Sequence, residues 1–391
     1  MRQHLAITAA AGDAAPIGGA VGTGDDNNDA AADAAAAAAD DGDGDGDDSA
    51  AARQGSYEVT NLVSNVPGLA KVTDPSVVNP WGVAFAPGAP LWVAENGSHA
   101  LTVYTLNPHN DMPEIVNLVV KLGPHDAPDT WAPTGLVWNP SPNQFLVPST
   151  KSGATFIAIS EDGKLVAWSG SANPISGGLS TATVVRTHAG GVYKAAAFGT
   201  NPDGNFLFVT NFRAAKVEVY DVNFKEVHKF AFTDRDIPSG FAPFGIENIG
   251  GELFVTYAQQ DEDKEDDVAG PGLGFVDVFT TSGKLVRRFA SRGPLNAPWG
   301  LARAPLGFGK FGGAILVGNF GDGRINAFSN RGELLGSLSG RKGQPITIEG
   351  LWSLKFGMFQ GADPEDLYFT AGVNDEQDGL IGEISATSGR H

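Results

Sequence analysis

Cysteine is absent from this chain, which excludes disulfides, thiolate nucleophiles and every Cys-based zinc site. Basic residues are scarce: 26 Lys and Arg against 45 Asp and Glu leave a net charge of −19. That balance argues against nucleic-acid backbone binding, which needs Lys and Arg to neutralise phosphate. It argues equally against electrostatic docking on anionic membranes. No apolar run approaches the length of a membrane-spanning helix. The seven His form no His-x-x-x-His pair, and there is no Gly-x-Ser-x-Gly elbow and no Walker loop. Small cations, cationic ligands and neutral ligands are the partners that fit.

What the chain has instead is one short phrase, repeated six times. It reads Pro80-Trp81-Gly82-Val83-Ala84, Pro133-Thr134-Gly135-Leu136-Val137, Tyr193-Lys194-Ala195-Ala196-Ala197, Pro243-Phe244-Gly245-Ile246-Glu247, Pro298-Trp299-Gly300-Leu301-Ala302 and Leu351-Trp352-Ser353-Leu354-Lys355. The second positions are 53, 60, 50, 55 and 53 residues apart. A period near 50 residues, with short strands and Gly/Pro turns between, is the signature of propeller blades. The expected fold is all-β: a six-bladed β-propeller of four-stranded antiparallel blades.

Two domains of different character are expected. Residues 1–55 hold eleven Asp against Arg2 and Arg53, so they supply −9 of the −19, and they contain no Phe, Tyr or Trp. Such a segment cannot bury enough apolar surface to offset its ordering entropy and is expected to be a disordered acidic tail. Asp41, Asp43, Asp45 and Gly46 match the start of an EF-hand loop, but its twelfth position is Ala52, which offers no carboxylate. Arg2 with Leu5 to Ala11 resembles a signal peptide that Asp13 cuts short. Residues 56–391 are expected to form a single propeller domain.

Period-two alternation dominates from Tyr57 onward. Blade 5 predicts strands over 299–303, 314–318, 324–328 and 333–338. Its turn, Asn319 to Gly323, matches Asn96-Gly97 in blade 1, Asp162-Gly163 in blade 2 and Asp378-Gly379 in blade 6. Such pairs tolerate the positive φ of tight hairpins. Blade 3 has Asn211 to Ala215 in this slot, and blade 4 has a long acidic insertion. Blade 6 offers only three strands, 351–356, 367–371 and 380–384. The unplaced strand 57–65 is expected to pair beside the last of them and close the ring, which removes two exposed edges.

The phrases Asn-Pro-Trp-Gly (79–82), Thr-Asn-Phe-Arg-Ala (210–214), Asp-Asp-Val-Ala-Gly-Pro-Gly (266–272), Gly-Phe-Val-Asp-Val-Phe (274–279), Gly-Asn-Phe-Gly-Asp-Gly-Arg-Ile-Asn (318–326) and Gly-Leu-Trp-Ser-Leu (350–354) resemble an uncharacterised propeller family. That family is mostly bacterial, often exported, and distantly similar to NHL-repeat and gluconolactonase-like propellers. The resemblance covers residues 57–389. It implies the six-bladed fold and brings no assigned catalytic residues.

Propeller topology places the phrase and the Asn/Asp-rich turns on one face, around the central channel. The candidate ligand-binding residues there are Trp81, Asn96, Lys194, Asn211, Arg213, Phe244, Trp299, Asn319, Asp322, Arg324, Trp352 and Asp375. Glu161, Asp162, Asn374, Glu376 and Asp378 belong to the same face. Asn and Asp also stabilise turns, and Trp at a strand start also packs between blades. The candidate cofactor is a calcium ion, with Asp266, Asp267, Asp322 and Asn319 as metal ligands, because hard cations need six to eight oxygens. Two functions follow. One is a non-catalytic binding or scaffold propeller, expected to be monomeric, holding a small molecule or a protein segment on this face. The other is a calcium-dependent hydrolase of lactonase or esterase type, with the metal polarising a carbonyl.

Overall fold

A computed structural model describes residues 55–123 and 131–387. The acidic tail, its EF-hand-like run and the signal-like segment lie outside the described residues. Each of six sheets has at its inner end a strand that carries the phrase: Pro80–Ala84, Pro133–Trp138, Tyr193–Asn201, Phe241–Ile249, Pro298–Arg303 and Leu351–Phe356. These inner strands pack side by side in sequence order, and the sixth packs on the first. The result is a closed six-bladed propeller with one free strand edge per blade facing the channel.

The phrase recurs because the same local problem recurs. In every blade the register with the second strand shifts just after the phrase's first residue, as between Pro80 and Val83 or Pro298 and Gly300. A bulge re-aims a side chain and bends its strand, and here it brings the second-position side chains of different blades together. The Gly that follows is required by close approach of the next blade. A Cβ on Gly82 or Gly300 would lie 2.5 Å from the carbonyl oxygen of Thr134 or Trp352, and on Gly245 it would overlap that of Trp299. Buried Thr hydroxyls fasten three of the sheets to the next. Thr134 donates to the Tyr193 carbonyl (2.8 Å), Thr210 to that of Phe244 (2.9 Å) and Thr370 to that of Trp81 (2.5 Å).

Blade 5 contains Pro298–Arg303, Ile315–Asn319, Ile325–Phe328 and Leu334–Ser337, each within a residue or so of the expected strand. Ring closure also follows the expectation. Tyr57–Ser64 pairs antiparallel with Leu380–Ala386, from Tyr57 opposite Ala386 to Ser64 opposite Leu380. Tyr57 anchors this strand. Its ring lies parallel to that of Phe311, while its hydroxyl donates to the Phe308 carbonyl (3.1 Å) and accepts from the Phe311 N–H (3.0 Å).

Four blades depart from the regular four strands, blades 4 and 6 only by the two-residue strands Asp267–Val268 and Val72–Thr73. Blade 1 is extended by Leu179–Thr181, which lies parallel to Val119–Lys121 and comes from the connection between the third and fourth strands of blade 2. Blade 3 has three named strands, with Glu226 bridging Tyr220 as the stub of a fourth.

Candidate functional site

The register sets the first residue of the phrase opposite the end of the second strand: Pro80 opposite Glu95, Pro133 opposite Ser160, Tyr193 opposite Asn211 and Pro298 opposite Asn319. Phrase and turns therefore share a face. At its centre, however, the channel is filled. The indoles of Trp81 and Trp352 stack with centroids 3.5 Å apart, Trp299 meets both edge-on at 6.3 and 5.6 Å, and Phe244 lies 6.0 Å from Trp352. Phe320 from the blade 5 turn stacks on the Trp352 indole at 4.1 Å. All four phrase aromatics are buried. Rings of this size from several blades fill the axis rather than line it.

Beside the plug sits Lys194, whose side chain is only 1% exposed. Its ammonium donates to Glu161 Oε1 at 2.6 Å and Asp266 Oδ1 at 3.2 Å, and lies 5.1 Å from the Trp81 ring. Burial alone would lower its pKa, but Glu161 and Asp266 outweigh that and raise it. Asn96 donates to the other oxygen of Glu161 (3.1 Å). Two further carboxyls complete the cluster. Asp267 is pushed up to about 7 by burial, against the pull of Lys194 and with Asp266 and Glu376 adding to the rise. Glu376 is also raised, chiefly by burial, although Asn79 hydrogen-bonds it. Asp267 Oδ2 and Glu376 Oε1 are buried without a partner. Glu376 ends a run of three non-glycine residues at positive φ, Asn374 (56°), Asp375 (52°) and Glu376 (62°). Strain of this kind persists only where the surroundings enforce it.

Asp267 fixes a pH dependence. Its folded pKa of about 7 lies above the ordinary 3.8, so between these values the folded state binds the extra proton. Stability from this group is therefore full below about pH 4 and is lost as pH rises through 7. Asp267→Asn is expected to raise the unfolding midpoint at pH 8 and leave it nearly unchanged at pH 4. A midpoint lowered equally at both pH values would contradict this assignment.

The remaining candidates are engaged within the protein, some in their own turns and some with neighbouring segments. Asn211 donates to Glu218 (2.7 Å) and accepts from the Ala214 N–H (3.1 Å). Asn319 donates to the Pro294 carbonyl (2.8 Å) and to Asp322 (3.0 Å), which also accepts from the Arg324 N–H (3.2 Å). Arg213 pairs with Glu265. The N–H of Asp375 donates to Glu349 (3.2 Å).

Two groups escape a reading by local motif. In blade 3, Glu218 is buried and accepts from the hydroxyls of Tyr193 (2.7 Å) and Tyr220 (2.6 Å). Burial would raise this carboxyl, but Tyr220, Asn211, Tyr193 and Lys216 together hold it at about 2. His188 and Glu226 converge on it closely enough for three metal ligands. The Lys216 ammonium, 3.1 Å from Glu218 and 3.4 Å from Glu226, already supplies the positive charge there.

The second group lies at the other end of the channel. Beyond the plug a cavity of about 280 Å³ is lined by the downstream halves of the inner strands. Its only charged lining residues are Glu247 and Lys355, whose ammonium lies 2.8 Å from both carboxylate oxygens. The repeat carries a signal for this pair. The fifth position of the phrase reads Ala84, Val137, Ala197, Glu247, Ala302 and Lys355, so two opposite charges interrupt an otherwise aliphatic column.

No family model matches the sequence. The uncharacterized protein R648 of Acanthamoeba polyphaga mimivirus is 33% identical over 339 residues, covering 84% of this chain and 80% of R648. Protein L690 of the same virus is 32% identical over 338 residues, covering 84% and 86%. These relatives are viral and give no support to the mostly bacterial distribution implied by the resemblance. Among solved structures, a streptogramin B lyase superposes with a TM-score of 0.50 at 13% identity, covering 84% of this chain and 97% of that one. At such identity the likeness concerns the fold alone. By the extent and level of its sequence identity, this six-bladed propeller belongs to the family of the mimivirus proteins R648 and L690.

Proposed function

We propose that this chain is a ligand-binding propeller that takes a small molecule into the central channel from the mouth opposite the Asn/Asp-rich turns. The observation that carries this reading is the cavity of about 280 Å³ behind the aromatic plug. It is near the lower edge of the roughly 300–1,000 Å³ typical of small-molecule sites, and it combines apolar walls with a few polar groups as such sites do. On the turn face the corresponding space is taken by Trp81, Phe244, Trp299 and Trp352, and by the Lys194 cluster.

The alternative, a calcium-dependent hydrolase, draws on the same fold but not on its residues. Asp266 is already hydrogen-bonded to the Lys194 ammonium, and Asn319 and Asp322 are bonded to each other within the blade 5 turn. A divalent ion at Asp266 would have to displace the buried Lys194 ammonium, which already supplies positive charge there. The oxygens of Asp266 and Asp322 are thus engaged, while Asp267 Oδ2 and Asn319 Oδ1 are buried without a partner; those two alone fall far short of the six to eight oxygens a calcium ion needs.

Thermal unfolding of the full chain against a panel of small polar molecules tests the binding reading, since a ligand at about 100 times its Kd adds about 2.7 kcal/mol. Ser353 lines the cavity, and Ser353→Cys can be alkylated after folding to fill it. Every shift seen with the unmodified variant is expected to vanish in the adduct. Shifts that survive alkylation would place binding elsewhere. Millimolar calcium is expected to leave the midpoint where EDTA leaves it, whereas a calcium-specific rise of several degrees would restore the metal reading.

A further inference from the structure

We infer that the ligand of the channel cavity is a small zwitterion, a molecule with a carboxylate and an ammonium group on a short body, such as a free α-amino acid. The inference rests on the cavity being the ligand site and adds the chemical class. Glu247 and Lys355 occupy the same position of the phrase in blades 4 and 6, and the intervening blade 5 has Ala302 there. The pair thus joins blades 4 and 6 past blade 5 at the cavity wall. The ammonium is equidistant from both carboxylate oxygens, at 2.8 Å. The side chains are 31% and 30% exposed, so both charges remain accessible. Around them the walls combine aliphatic and aromatic side chains, Phe85, Trp138 and Phe198 among them, with the polar Asn248 and Ser353.

Charge decides which ligand such a mouth selects. A purely anionic or cationic molecule that engages one member of the pair draws it from the other and leaves an unpaired charge in a confined site, which is costly. A neutral molecule gains from neither charge. A zwitterion replaces one ion pair with two, its carboxylate on Lys355 and its ammonium on Glu247. Short polar molecules suit the volume, and their apolar portion meets the aromatic wall.

The test is calorimetric titration of the full chain with α-amino acids, their methyl esters, their N-acetyl derivatives and uncharged polyols. Free amino acids are expected to bind, and masking either end to weaken binding about tenfold or more. Lys355→Met and Glu247→Gln should each cause a similar loss. The exchanged pair Glu247→Lys with Lys355→Glu should recover most of it, which guards against variants that merely misfold. Polyols or singly charged molecules binding as well as amino acids, indifferent to these substitutions, would overturn the zwitterion inference and leave the cavity reading standing. Absence of amino-acid binding in a chain whose Ser353→Cys is readily alkylated would overturn it too. A Ser353→Cys that resists alkylation in the folded state would remove the cavity reading itself.

Discussion

A chain lacking residues 56–65 is expected to lose its single cooperative unfolding transition. The strand they form is the outer strand of the last blade, and it is held by pairing along the whole of Tyr57–Ser64. Without it Leu380–Ala386 becomes an open edge, and Tyr57, only 2% exposed, leaves a cavity against Phe308 and Phe311. Replacing a large buried aromatic by Ala typically costs about 3–5 kcal/mol; here a whole strand goes with it. The geometry also supplies a rescue. Tyr57 lies opposite Ala386, and the Thr387 N–H donates to the Ser56 carbonyl at 2.9 Å. Residues 56–65 moved behind Thr387 through a short hairpin linker should rebuild the blade with its strands in regular order. Recovery of one sharp transition in this permutant is the expected result. A truncated chain as cooperative and stable as the full one would contradict the closure.

The second large effect is expected from Lys194→Met. The substitution keeps much of the apolar stem but removes the ammonium from the middle of Glu161, Asp266, Asp267 and Glu376. Breaking a buried ion pair costs about 3–5 kcal/mol because the remaining charge is stranded. Asp266 is 75% exposed and can turn to water, so a loss near the lower end, about 3 kcal/mol, is expected. The sign with pH is fixed. Lys194 holds down the already raised pKa values of Asp267 and Glu376; without it both rise further above their unfolded values, so the variant is least impaired in acid and loses stability as pH rises. Denaturant unfolding at pH 5 and pH 8 checks this. Equal stability of variant and wild type at pH 8 would remove Lys194 from its central role.

The architecture was legible because its constraints are local and repeated. Each phrase meets the same bulge, four of the six carry a Gly at the close approach, and most share the Asn/Asp-Gly turn, so the residues recur at a readable interval. Even ring closure could be found by counting strands in blade 6. The extra parallel strand on blade 1 could not, because Leu179–Thr181 lies far along the chain from its partner. The phrase and the turns do share one face, but the side chains there close the channel, and the cavity lies beyond them among the downstream halves of the inner strands. Trp81, Phe244, Trp299 and Trp352 were expected at a channel rim, whereas their combined volume closes the channel. Glu247 and Lys355 were visible within the phrase, yet only the convergence of all inner strands makes them neighbours. His188 and Glu218 are likewise 30 residues apart and meet only through the packing of blade 3.

We propose that the channel is shut at the turn face and open at the Glu247–Lys355 mouth. The most direct test is the rate at which Ser353→Cys reacts with a small thiol reagent, because the chain contains no other cysteine. Ser353 directly follows the plug residue Trp352 and lines the cavity beyond it. Reaction is expected in the native state, at a rate that is insensitive to mild denaturant and slowed by a bound amino acid. Reaction that occurs only as fast as the whole protein unfolds would show a closed channel and contradict the claim.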